Sequence, residues 1–146
     1  MRVLQSVVDE NQRLSRQQKE LLQNFGKVYI STVDVHATQL DRSLSWNTDH
    51  GSTLWGQPGD WLVETDGERW TVDGEVFQRT YEHLEADVYR KVTPVLAAKL
   101  AHPDNVQSRE GVVNAERGDL LVCNITGECW SVPAFRFFQR YAPLSP

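Results

Sequence analysis

Cys123 and Cys129 stand on the two arms of a short run, "CNITGEC", whose Gly and Glu suit a tight turn. Directly opposed positions on an antiparallel pair lie about 4.5–5.5 Å apart, a range that overlaps the Cα separations of disulfides. Three chemistries fit: two reduced thiols packed between parts of the fold, a reversible hairpin disulfide acting as a redox pair, or a metal site. Two cysteines alone make no four-ligand site, no His stands in a chelating pattern with them, and no metal is expected.

A second set of candidates is acidic. Asp60 and Asp119 each follow a Gly, and Glu68 and Glu128 each follow another. Paired acids could do acid–base work. A carboxylate entering a strand can also accept backbone N–H bonds at a turn. The second role suits a device used twice, so no catalytic residue is assigned.

The third set lies in "DRSLSWNTDHGSTLWGQPG", the longest stretch without a clear period. Its Trp46, Asp49, His50 and Trp55 could wall a ligand site, or the tryptophans could cap a small core. The four histidines (His36, His50, His83 and His102) are scattered, and no phosphate-binding glycine loop or nucleophile motif is present. Arg79, Arg136 and Arg140 form a small basic set that reads as solvated surface.

The elements that must carry these residues are written twice. "GDWLVETDGERWTV" (59–72) returns as "GDLLVCNITGECWSV" (118–132), and ten of the 23 positions from Gly59 to Tyr81 are identical in the second copy. The match extends upstream at an offset of 60, through Val28-Tyr29/Val88-Tyr89, Val35/Val95, Ala37/Ala97, Leu40/Leu100 and Gly51/Gly111. Internal repetition decides the architecture before any local propensity does. Each copy predicts a leading strand ("STVDVHATQL", "VTPVLAAKL"), a polar loop, the Gly-Asp strand, a turn, a returning strand and one or two helical turns. Asp73 is expected as an N-cap and Pro133 at a first helical position.

Alternation turns Trp61, Val63, Trp70 and Val72 to a core, together with Leu120, Val122, Trp130 and Val132. The opposite face holds Leu62, Glu64, Arg69 and Thr71 in one copy, and Leu121, Cys123, Cys129 and Ser131 in the other. Glu64 and Arg69 are expected to pair across the strands. Leu62 and Leu121 are expected at an interface, either between the copies or with a partner.

Before the repeat, residues 3–25 contain no Gly or Pro and predict one helix ended by Gly26. Leu4, Val7, Asn11, Leu14, Gln18, Leu21 and Phe25 follow a 3-4 spacing. That stripe either lies on its own domain or pairs with a second copy, in which case Leu4, Val7, Leu14 and Leu21 form a homodimer interface.

Composition narrows the function. A formal charge of −5 over 146 residues gives no basic field for nucleic acid or an anionic membrane. No apolar run reaches the roughly 20 residues of a membrane helix, and no secretory signal precedes the helix, so a cytoplasmic protein is expected.

The pattern "QPGDWLVETDGERWTV…VFQRTYEHL" resembles the small bacterial and phage-encoded PGDYG-like domain. Pro58, Gly59, Asp60, Trp61, Gly67, Glu68, Phe77 and Tyr81 fit in the first copy, and Gly118, Asp119, Gly127, Glu128, Phe137 and Tyr141 in the second. In the second copy Arg117 replaces the Pro and Leu120 the aromatic. The resemblance covers most of 28–146, implies a mobile-element or phage-linked origin, and implies no activity.

The expected fold is α+β: an N-terminal helix (1–26), then two tandem, pseudo-symmetric, mostly antiparallel β modules (27–86 and 87–146), each closed by a short helix and packed as one compact unit. The expected function is non-enzymatic binding or adaptor work on a small molecule or protein, without cofactor. The alternatives are a small hydrolase-like enzyme using acids and His50 beside Trp46 and Trp55, and a sequestering inhibitor of a host system.

Overall fold

The computed structural model of the chain describes residues 2–47, 53–108 and 111–144. These hold four helices and fourteen strands, and every strand pairing is antiparallel. Helices α1 (Arg2–Glu10) and α2 (Arg16–Phe25) come first. Strands β1 (Lys27–Ser31), β2 (Val35–Gln39), β3 (Leu44–Asn47), β4 (Thr53–Gly56), β5 (Trp61–Thr65) and β6 (Glu68–Val72) lead to α3 (Gly74–Thr80), β7 (Tyr81–Glu85) and β8 (Val88–Lys91). Then follow β9 (Val95–Lys99), β10 (Asp104–Ser108), β11 (Gly111–Ala115), β12 (Leu120–Asn124), β13 (Cys129–Val132), α4 (Ala134–Arg140) and β14 (Tyr141–Pro143).

The single N-terminal helix expected from composition is two helices. Ser15 caps α2 through a complete capping box: its hydroxyl accepts from the Gln18 backbone N–H, and the Gln18 side chain accepts from the Ser15 N–H. That reciprocal pair starts a new helix inside a stretch with good helical propensity throughout. The break also abandons the 3-4 seam. Leu4, Val8, Leu14, Gln18 and Leu22 are buried, Val7 and Leu21 only in part, and Phe25 is 71% exposed.

The chain forms two compact units, residues 33–92 and residues 1–32 with 93–146. The first has a five-stranded sheet in the order β6-β5-β2-β8-β7, the second one in the order β13-β12-β9-β1-β14. Strand β1 therefore joins β9 and β14, and the units are cut six residues beyond the sequence boundaries at 27 and 87. Its register with β9 sets Tyr29 opposite Val95, as β8 sets Tyr89 opposite Val35.

The repeated Gly-Asp is a turn. Asp60 N–H donates to the Gln57 carbonyl and Gly59 has φ +92°, which with Pro58 ahead of it is the pattern of a type II turn. The Asp60 carboxylate accepts the Gln57 N–H at 3.0 Å, closing the turn from the side chain as well. Asp119 does the same for Glu116 at 3.0 Å, with Gly118 at φ +90°. The expected turn role of both acids is observed.

The repeated Phe and Tyr are a ring stack at i, i+4. Phe77 stacks on Tyr81 at 4.5 Å and Phe137 on Tyr141 at 4.7 Å, each helix thereby closing one sheet face. Val35, Ala37, Val63 and Phe77 centre one core, with Trp61, Trp70 and Val72 against it. Val95, Ala97, Leu120, Val122 and Phe137 centre the other. Asp73 caps α3 as expected, accepting from the Glu75 and Val76 N–H groups. Pro133 is itself the cap of α4, one residue earlier than its expected place.

The stretch expected to be irregular holds a hairpin, β3–β4, and its counterpart holds β10–β11.

Candidate functional site

The two sheets differ most on the face turned away from their closing helices. In the unit formed by 1–32 and 93–146, that face carries Leu96, Ala98, Leu121, Cys123 and Cys129. Leu4 and Val8 of α1, Leu14 of the break and Leu22 of α2 bury it, with Val106 and Ala115 of the β10–β11 hairpin. Gln18 fastens α2 there, its amide donating to Asp104 Oδ2 at 3.0 Å and the Asn105 carbonyl at 2.8 Å.

In residues 33–92 the same face is polar. One cross-sheet row reads Arg69, Glu64, His36 and Val88 on β6, β5, β2 and β8. Arg69 Nε stands 4.0 Å from Glu64 Oε1, the expected cross-strand pair, with both side chains about half exposed. His36 Nδ1 lies 3.1 Å from Asp87 Oδ1, at 64% and 56% side-chain exposure. Beside them Arg90 Nε donates to Asp34 Oδ1 at 2.6 Å. Asp66 of the β5–β6 turn and Glu68 at the start of β6 stand beside them, and the whole borders an open depression of about 280 Å3 lined by His36, Glu64, Arg69 and residues 65–68.

A polar row on an exposed sheet face costs little to keep, because each charge stays in water. What it offers chemically is a shallow surface on which opposite charges stand side by side, Arg69 by Glu64 and Arg90 by Asp34. The surrounding field is negative: residues 33–92 carry twelve Asp and Glu against five Lys and Arg, a formal charge of −7. Residues 1–32 and 93–146 carry eight against ten, or +2.

No protein-family model, curated protein or solved structure matches the chain.

The residues singled out from sequence separate. Trp55 is 63% exposed at the end of β4. The side chain of Trp46 and all of Asp49 and His50 lie outside the described residues. Leu62 is half-buried on the outer face of β5, while Leu121 is fully buried beneath the helices. Leu4 and Leu14 are buried in their own unit, with Val7 and Leu21 at its margin.

Cys123 and Cys129 oppose each other in register and are disulfide-bonded, with a Cα–Cα distance of 4.2 Å. That is the spacing of a non-hydrogen-bonded pair, whose side chains approach closest. Of the three chemistries open to them, the disulfide is the one present. Among the described residues no group of three or more His, Cys, Asp or Glu is placed to hold a metal ion.

His36, Asp87 and Arg90 were missed by reading the sequence. His36 was one of four scattered histidines, and its partner lies 51 residues away. The signal available was positional: His36 occupies the outward place that Leu96 holds in the other copy.

Proposed function

We propose that this chain is a non-enzymatic binding or adaptor protein whose recognition surface is the outer sheet face of residues 33–92, and that its partner is a basic protein surface. One observation carries this reading. The face that helices bury over Leu96, Leu121 and Cys123 is open at His36 and carries the charges of Glu64, Arg69 and Asp87. In this reading the two units descend from one duplicated module of the PGDYG-like kind, and one copy's face became core while the other's remained a surface. A sequestering role, as a phage or mobile-element protein could play, is the form of binding that an acidic module suits, since like charge repels nucleic acid and competes for basic sites.

Affinity capture with the full chain, compared with a Glu64→Gln/Glu68→Gln/Asp87→Asn variant, tests the proposal. The expected result is a basic protein retained by the unaltered chain, released as salt rises and lost by the variant. Equal retention by both chains sinks the assignment of this face.

An acid–base role for His36 and Asp87 is the second reading, favoured by their 3.1 Å contact. His36→Ala separates the two, because the binding role tolerates it far better than catalysis of any substrate would.

A further inference from the structure

We propose that the Cys123–Cys129 disulfide is a thiol-exchange site that governs docking of the N-terminal helices: a small dithiol opens the bond, and opening it frees α1 from the sheet. The proposal concerns the unit of 1–32 and 93–146 and stands independently of the function proposed for 33–92.

Position argues first. The bond lies on the outer face of β12 and β13, with Cys123 fully buried and Cys129 4% exposed, in one cluster with Leu4, Val8 and Leu14. Topology argues second. The two cysteines are only six residues apart, and the Gly127 N–H to Asn124 carbonyl and Asn124 N–H to Glu128 carbonyl bonds already close that turn. A cross-link over so short a loop removes less chain entropy than one over a long loop. It also fixes the surface on which the helices pack.

The helix break lies against the same hairpin. Asn11, immediately after α1, donates its side-chain amide to the Gly127 carbonyl at 2.6 Å and stands 3.4 Å from Cys129 Sγ. The end of α1 is thus keyed to the bonded hairpin. Residues 33–92 supply an internal contrast: Glu64 and Arg69 take the places of the cysteines, and among the described residues no helix of that unit covers them. Within one chain, the disulfide and the helical cover occur together.

A thiolate of the dithiol attacks Sγ of Cys129, the less deeply buried of the two residues; the S–S bond breaks, and Cys123 Sγ leaves as a thiolate and takes up a proton. The reductant's second thiol then displaces Cys129, which is protonated in turn. Two protein thiols and one cyclic disulfide result, with two electrons and two protons transferred. The freed sulfurs move from about 2 Å apart to ordinary van der Waals separation. In a close-packed site this added volume must displace a neighbour. The nine-residue α1, too short to persist without its packing face, is the neighbour least able to resist. Its release bares Leu121 and the cysteines themselves.

Hydrogen exchange followed by mass spectrometry on the full chain tests this, with thiol alkylation to score the redox state. Dithiothreitol is expected to raise exchange in residues 2–14 at least tenfold, to leave 33–92 unchanged, and to lose its effect once the protein is reoxidised. The Cys123→Ala/Cys129→Ala variant is expected to show no response to dithiothreitol. Unchanged exchange in 2–14 after complete reduction overturns the proposal. So does an equal rise across 93–124, which means that the unit unfolds as a whole, and so does a disulfide that the folded chain never yields to the reductant.

Discussion

The side chain of Asn11 donates to the carbonyl of Gly127 at 2.6 Å, joining the break between α1 and α2 to the turn between β12 and β13. Gly127 is half-buried, so removing the donor leaves its carbonyl only partly open to water. Asn11→Ala is expected to destabilise the chain by about 1–2 kcal/mol, and Asn11→Asp by more, because a carboxylate cannot donate. Denaturant titration measures both, and an Asn11→Ala variant as stable as the unaltered chain refutes the role.

The turn carboxylates supply a second comparison. Asp60 is 5% exposed and Asp119 is half-buried, and each accepts one backbone N–H at 3.0 Å. Asp60→Ala is expected to cost about 1–3 kcal/mol and Asp119→Ala less, since water replaces the lost acceptor more readily at the second site. Asp60→Asn should recover much of the loss, because an amide oxygen still accepts. Thermal melts of the three variants decide it.

Helix packing gives the sharpest contrast. Leu22 is 1% exposed and Phe25, one turn further on, is 71% exposed. Leu22→Ala is expected to cost about 2–4 kcal/mol through the cavity it leaves, and Phe25→Ala to change stability by less than about 0.5 kcal/mol. A self-pairing seam through Phe25 predicts the reverse order at concentrations where the chain associates.

The Glu64–Arg69 pair should matter little to folding. Both side chains are about half exposed at 4.0 Å, where ion pairs contribute about 0–1 kcal/mol. A double-mutant cycle with Glu64→Ala and Arg69→Ala is expected to return a coupling below about 0.5 kcal/mol. A large coupling would make the pair a structural strut rather than part of an open surface.

The repeat explains how much of this was legible. Gly59-Asp60 and Gly118-Asp119 sit where a turn demands a positive φ and an acceptor, and Phe77/Tyr81 and Phe137/Tyr141 sit where rings stack. Those are local requirements, met by residues three or four apart, so they survive in both copies and can be read directly. The core alternation of β5–β6 and β12–β13 was legible for the same reason. The hairpins β3–β4 and β10–β11 were not, because their short strands carry no strong period.

By itself, the sequence determined the α+β class, the duplicated turns and strands, and the opposition of Cys123 to Cys129. Only the tertiary structure decided which sheet takes β1, where the long N-terminal stretch breaks, and which of two similar faces is covered. The physical reason is range. Val28-Tyr29 and Val88-Tyr89 are the same strand in local terms and meet Val95 and Val35 in the same register, so nothing within either segment chooses its sheet. The site depends on the same long-range choice: α1 and α2 lie over Leu121 and Cys123, and His36 meets an Asp87 that is distant in the chain.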